Sequence, residues 1–305
     1  MEAASNVIDA ATVTADARRV ELSGLLLAFA GVATFSFSLP ATRLALADLD
    51  PLFVAFGRAV VAALLAVIAL RVLRAPRPTV AQWRSLAVVA FGVIVGFPLF
   101  TALALQHVQA SHGAVIVAVL PASTAVFAVL RAGERPSGRF WAAAGGGLAV
   151  VLAFVASQGL GGIGIADLEL LLAVVACALG YAEGGALSRT LGGPQVICWA
   201  LVLAAPVTVT VSLLSLPSGP IGGDALLGFA YLSVFSMFLG FFAWYAGLAR
   251  GGVAKAGQVQ LLQPPMTLTL SALVLGEHIT PLAIVCTLLV LCSVVGTQRA
   301  RVERR

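Results

Sequence analysis

Two ionisable residues stand inside apolar runs of this sequence and carry most of the chemistry it could do: Arg58 in "FVAFGRAVVAALL" and Glu183 in "ACALGYAEGGAL". Hydrocarbon offers a charge no partner, and a guanidinium or carboxylate at mid-span costs about 2.5–3.5 kcal/mol on insertion scales. Such side chains therefore face a partner or a water-filled cavity. Arg58 either presents its planar donor fork to a substrate carboxylate, snorkels to the nearby headgroups, or braces a neighbouring helix through backbone carbonyls. Glu183 has a shorter reach. It is a site for a substrate ammonium group, a protonatable coupling group, or a hydrogen-bonded structural acid.

Uncharged polarity gathers near a second feature, "QVQLLQPP", where Gln258, Gln260 and Gln263 precede Pro264 and Pro265. Gln260 and Gln263 share a helical face, whereas Gln258 points elsewhere. They either line a cavity or join helices by amide hydrogen bonds. Ser36, Ser38, Tyr181 and Trp244 are further cavity-lining candidates, although aromatic residues in apolar helices also serve as packing or interfacial anchors.

Bond-making chemistry finds no constellation here. His107, His112 and His278 lack an HExxH spacing, and Cys177, Cys198, Cys286 and Cys292 lie singly in apolar runs without CxxC or metal-ligand spacing. No catalytic residue, metal or cofactor is expected. The net charge of +5 is dispersed in short clusters between apolar runs, which reports topology rather than nucleic-acid binding.

The elements that must position these residues are membrane spans. Of 305 residues, 60% are apolar and 10% charged, against about 25% charged in soluble domains, and the mean hydropathy is +1.05. Runs of about 20 apolar residues predict an all-α membrane protein with ten transmembrane helices near 22–44, 52–72, 84–106, 110–131, 139–157, 168–189, 194–215, 225–248, 253–275 and 280–298. Residues 1–21 form a polar segment without the apolar core of a signal peptide, and 299–305 form a basic tail. With both termini cytoplasmic, the inside loops and tails hold every Lys and Arg except Arg43 and Arg58, while outside loops carry Asp48, Asp50, Asp167, Glu169 and Asp224, as the positive-inside rule requires.

The two halves, 22–157 and 158–298, repeat. "VLPASTAVFAVLRAGE" from Val119 aligns with "LQPPMTLTLSALVLGE" from Leu262 at an offset of 143, so Pro121 and Pro264 each precede a Gly-Glu pair whose Glu, 134 or 277, lies 13 residues on. Five spans per copy is an odd number, so the second copy crosses in the opposite direction. The prolines remove backbone donors and free carbonyls, which is tolerated where they face protein or a cavity. At an offset of 145 Glu183 corresponds to Ser38, an asymmetry between otherwise matched halves.

Ten spans, the fivefold inverted repeat and the Pro-to-Gly-Glu signatures of spans 4 and 9 resemble the drug/metabolite transporter superfamily, in its EamA-type branch, over residues 22–298. Arg58 early in span 2 fits the same pattern. The resemblance implies a bacterial inner-membrane carrier exporting small metabolites, most often amino acids, by alternating access. Family members often carry Trp near the middle of spans 1 and 6, where this chain has "ATFSFS" and "ALGYAE", so pocket shape and substrate can differ. The expected substrate is a small zwitterion such as a neutral or aromatic amino acid, with proton coupling as one option. Efflux of drugs or organic cations, or carriage of a nucleotide derivative, is the alternative. Monomer and homodimer are left open.

Overall fold

The computed structural model describes residues 22–132, 135–157, 164–251, 259–300 and 302–303. The N-terminal segment 1–21, Glu134, Lys255 and Gln258 lie outside the described residues. Among the described residues, eight helices are long and apolar enough to cross a membrane: α1 Leu22–Ala45, α2 Phe53–Val72, α3 Val80–Ala104, α4 Ala110–Arg131, α5 Gly138–Ser157, α6 Ile165–Leu191, α7 Gly193–Leu214 and α8 Gly223–Arg250. Two more follow, α9 Gln263–Leu275 and α10 Pro281–Arg299. α9 has only 13 residues because a turn at 261–262 precedes it and Pro264 opens it. Besides helices, Arg135–Pro136 pairs antiparallel with Val302–Glu303.

Local signals set the boundaries. Thr79 and Gln82 form a reciprocal capping box at the start of α3, and Thr280 accepts from Ala283 N just ahead of Pro281 in α10. Gly192, with φ +93°, makes the tight joint between α6 and α7, where a side chain would be strained.

α6 is the central post, packing against α3, α4, α7 and α8. It buries one small-residue face, including Ala173, Cys177, Gly180 and Gly184, which lets neighbouring backbones approach closely. At Gly180 the crossing with α3 is tight enough that a Cβ on the facing Gly92 would lie 2.9 Å from the Gly180 Cα. α5 and α10 instead pair with each other, pinned by Ser293 Oγ donating to the Ala143 carbonyl at 2.6 Å.

Two helices are broken at matching places. α4 is helical over Ala110–Val117, turns at 118–119 and resumes at Leu120; the turn before α9 falls 143 residues later. The bonds across the breaks repeat too. Val119 N donates to Ile116 O at 3.3 Å and Leu262 N to Val259 O at 3.0 Å, then Ser123 N to Val119 O at 3.0 Å and Met266 N to Leu262 O at 3.2 Å. Pro121, Pro264 and Pro265 lack the N–H that would return to Val117, Gln260 and Leu261. π-helical segments recur at the same offset, over Ala90–Gly96 in α3 and Leu232–Leu239 in α8, with a third over Phe53–Gly57 in α2.

Candidate functional site

The broken helices meet at a small cavity. Its walls are Ala114, Val117 and Pro121 from α4, Gln260, Gln263, Pro264 and Thr267 from α9 and the turn before it, and Leu39 from α1. Residues 260, 263, 264 and 267 form one helical face, and Val117 and Pro121 are the positions 143 residues before Gln260 and Pro264. The two halves therefore contribute equivalent positions to one space. Its volume of about 10 Å³ is close to the least that holds one water.

The cavity wall is uncharged and largely apolar, with Gln260, Gln263 and Thr267 as its polar members. Gln260 and Gln263 are buried, and the buried Gln260 Nε2 and Gln263 Oε1 have no hydrogen-bond partner among the described residues. One is a donor and the other an acceptor, one turn apart. An unsatisfied buried polar atom costs about 1–3 kcal/mol, so these two amide atoms are uncompensated polarity in residues of the cavity wall. None of the residues lining it carries a charge.

An aromatic cluster stands one turn along α1 from Leu39. Phe35 lies 4.8 Å from Phe241 and 6.4 Å from Tyr181, and Tyr181 lies 5.4 Å from Trp244, centroid to centroid. Trp244 Nε1 is buried without a partner, while Tyr245 Oη donates to the Gly180 carbonyl at 3.4 Å. The two serines differ. Ser36 Oγ donates to its own helix at Val32 O, 2.8 Å, whereas Ser38 Oγ bonds Ser236 Oγ at 2.7 Å and so ties α1 to the π-helical segment of α8.

The buried acid is not free. Glu183 Oε2 lies 2.5 Å from Nη1 of Arg131, the last residue of α4, whose side chain is half exposed. At the start of the same helices His112 Nε2 meets Asp167 Oδ1 at 2.7 Å. The partners occur in the same order on both helices, so α4 and α6 run side by side in one direction. The end of the bundle where α4 begins carries a second clasp: both carboxylate oxygens of Glu277, just after α9, accept from the first amides of α4, Ala110 N at 2.9 Å and Ser111 N at 2.8 Å. Negative charge at a helix N-terminus is favourable both as a hydrogen-bond acceptor and against the helix dipole.

Arg58 is placed otherwise. It is 4% exposed, makes no hydrogen bond or ion pair among the described residues, and its Nε is enclosed without a partner. It does not line the cavity, and neither does Glu183. Of the residues singled out by sequence, Gln260 and Gln263 share the cavity, Tyr181 and Trp244 share the aromatic cluster, and Ser38 reaches α8. Sequence reasoning missed Arg131 as the partner of Glu183, and Leu39 and Thr267 in the cavity wall. Thr267 was legible from its spacing of seven from Gln260 on a kinked helix; Arg131 was not, because its partner comes from another helix.

The comparisons with known proteins agree with a machine for passage rather than bond-making. The EamA-like transporter family matches this chain twice, over residues 22–156 and 164–298. The chain is 47% identical over 279 residues to the Uncharacterized transporter YdeK of Bacillus subtilis (strain 168), covering 91% of this chain and 97% of that one. It is 27% identical to a Probable terminal-alkyne amino-acid exporter of Streptantibioticus cattleyicolor, covering 90% and 93%. A solved crystal structure, 19% identical, superposes with a TM-score of 0.65 over 91% of this chain and 98% of its own, a likeness of fold. The apolar helices are thus the spans of a multi-pass transporter of the bacterial inner membrane, not of an enzyme, and the chain belongs to the EamA-like transporter family.

Proposed function

We propose that the protein exports small zwitterionic metabolites, foremost neutral or aromatic amino acids, by alternating access about the cavity between α4 and α9. Its frame is ten spans in two inverted five-helix repeats, 22–157 and 158–298, with both ends cytoplasmic. Several observations support this frame. The family pattern matches twice, the helix breaks and their hydrogen bonds recur 143 residues apart, and Glu277 just after α9 meets the start of α4, so these equivalent helices run in opposite directions, as an odd number of spans per copy demands.

The observation that carries the substrate class is the buried donor of Gln260 and acceptor of Gln263 in a cavity wall without charge. An amide donor suits a carboxylate, and an amide acceptor, with the carbonyls freed by the prolines, suits an ammonium. Tyr181, Trp244 and Phe35 then supply an apolar flank for the rest of the molecule, and Ser38 with Ser36 marks the α1 side. A cationic drug would need a free carboxylate, but Glu183 is held by Arg131. In this reading that pair closes the cytoplasmic end and the Glu277 and His112–Asp167 clasps close the outer end. A relative at 27% identity that carries the name of an amino-acid exporter points to the same class.

The test is counterflow in proteoliposomes loaded with a panel of neutral and aromatic amino acids. Saturable exchange of at least one is expected. No exchange and no competition by any member would end the proposal.

A further inference from the structure

The buried guanidinium of Arg58 has no place in the cavity just described and no partner among the described residues. The described carboxylates that form bonds form them away from it: Asp48 accepts from Gly222 N and Asp50 from Leu52 N, both at 2.8 Å, Asp167 holds His112, Glu183 holds Arg131, and Glu277 holds α4. An enclosed charge without a counter-charge is destabilising by several kcal/mol. A helix whose only task was to span would be better served by an apolar residue at position 58. Among the described residues nothing supplies the counter-charge.

The surroundings suit a guest that supplies it. Arg58 belongs to the buried face of α2 with Ala59, Ala62, Ala63 and Ala66. A π-helical segment, Phe53–Gly57, ends immediately before it, and such wide turns recur at functional positions. The same helix packs against the π-helical segment of α8. That segment holds Ser236, bonded to Ser38, the neighbour of cavity residue Leu39. The Ser38–Ser236 bond thus joins the helix that carries Leu39 to the segment packed on α2.

We infer that Arg58 is a second binding station, taking the carboxylate of the substrate on the outer half of the passage after it leaves the amides of Gln260 and Gln263. This rests on the export reading above. A planar guanidinium engages both oxygens of a carboxylate at once, so the station selects carboxylates over spherical anions and over amines. It gives the exporter a stepping stone that a molecule lacking a free carboxylate cannot use.

Two measurements on the purified full-length protein test this. In the first, thermal stability is followed with benzoate, with benzylamine, with chloride and with inorganic phosphate. Benzoate is expected to raise the melting temperature of the wild type by about 3–5 °C at saturation, to do so less in Arg58→Lys, and least in Arg58→Gln, where only the cavity amides remain. Equal stabilisation of Arg58→Gln would overturn the inference. So would equal stabilisation of the wild type by chloride or phosphate, which would make the site a general anion trap.

The second measurement compares exchange of L-phenylalanine with that of its methyl ester in proteoliposomes. The wild type should prefer the free acid by about tenfold or more, the worth of a charge-assisted hydrogen bond, and Arg58→Lys should keep part of that preference. A uniform fall for both compounds in Arg58→Lys, with the preference intact, would mark a structural arginine. Should phenylalanine fail to exchange in the wild type while benzoate still stabilises it through Arg58, the export reading for that substrate fails and the carboxylate site stands.

Discussion

Glu183 of α6 and Arg131 of α4 form an ion pair with Oε2 and Nη1 2.5 Å apart, in which the acid is buried and the base is half exposed. That asymmetry governs what each partner does for the protein. Among the described residues Arg131 is the counter-charge on which Glu183 depends, whereas Arg131 can turn to water or headgroups when released.

The first prediction follows directly. Arg131→Ala strands a buried carboxylate, while Glu183→Gln leaves a neutral group that still accepts from Arg131. Arg131→Ala should therefore lower stability by about 1–3 kcal/mol and Glu183→Gln by clearly less, read as melting temperatures in detergent. If the pair closes the cytoplasmic end, both variants should also label faster at that end with an impermeant maleimide on an introduced cysteine. Equal losses of stability would show that the burial asymmetry is not felt.

Replacing the cavity amides should separate stability from transport. Gln260→Leu and Gln263→Leu each remove a buried polar atom that has no partner, so melting temperature should hold or rise. Exchange of amino acids should nevertheless fall about tenfold or more, because a buried group that reads a substrate is worth at least one hydrogen bond. Unchanged exchange would remove the amides from the site.

The clasp at the start of α4 yields a third expectation. Glu277→Ala removes two charge-assisted bonds to Ala110 and Ser111 and should cost about 1–2 kcal/mol. A cysteine at Ser111, a buried position, should then react several-fold faster with an impermeant reagent from outside. Protection unchanged from the parent would mean that His112 and Asp167 hold this end alone.

Within the "GGG" triplet of α5 one position should differ from its neighbours. A Cβ on Gly147 would collide with Ser293 of α10, whereas Gly145 and Gly146 face open space. Gly147→Leu should destabilise by about 1–3 kcal/mol through overpacking, and Gly145→Ala should be neutral or stabilising by up to about 1 kcal/mol through helix propensity. Thermal melts of the two variants decide it.

Much of the frame was legible because it follows from short-range physics. Apolar runs of span length, the alternation of basic and acidic loops, and prolines repeating at an offset of 143 are properties of residue order, and the structure returns long apolar helices and paired breaks at Pro121 and Pro264. The Gln260–Gln263 face was legible for the same reason, since helical spacing alone puts the two side chains together. The ninth segment is shorter as a helix than its apolar run, because two consecutive prolines and the turn before them interrupt it.

Sequence by itself determined that this chain is a bundle of apolar helices with a few buried polar groups, which are expensive in hydrocarbon wherever they fall. Only the tertiary structure decided which of them are compensated. Glu183 finds Arg131 across a helix pair, Ser38 finds Ser236 across 198 residues of chain, and Arg58 finds no partner among the described residues. A polar group's role in a membrane depends on the partner that packing brings to it, and that partner comes from a distant part of the chain.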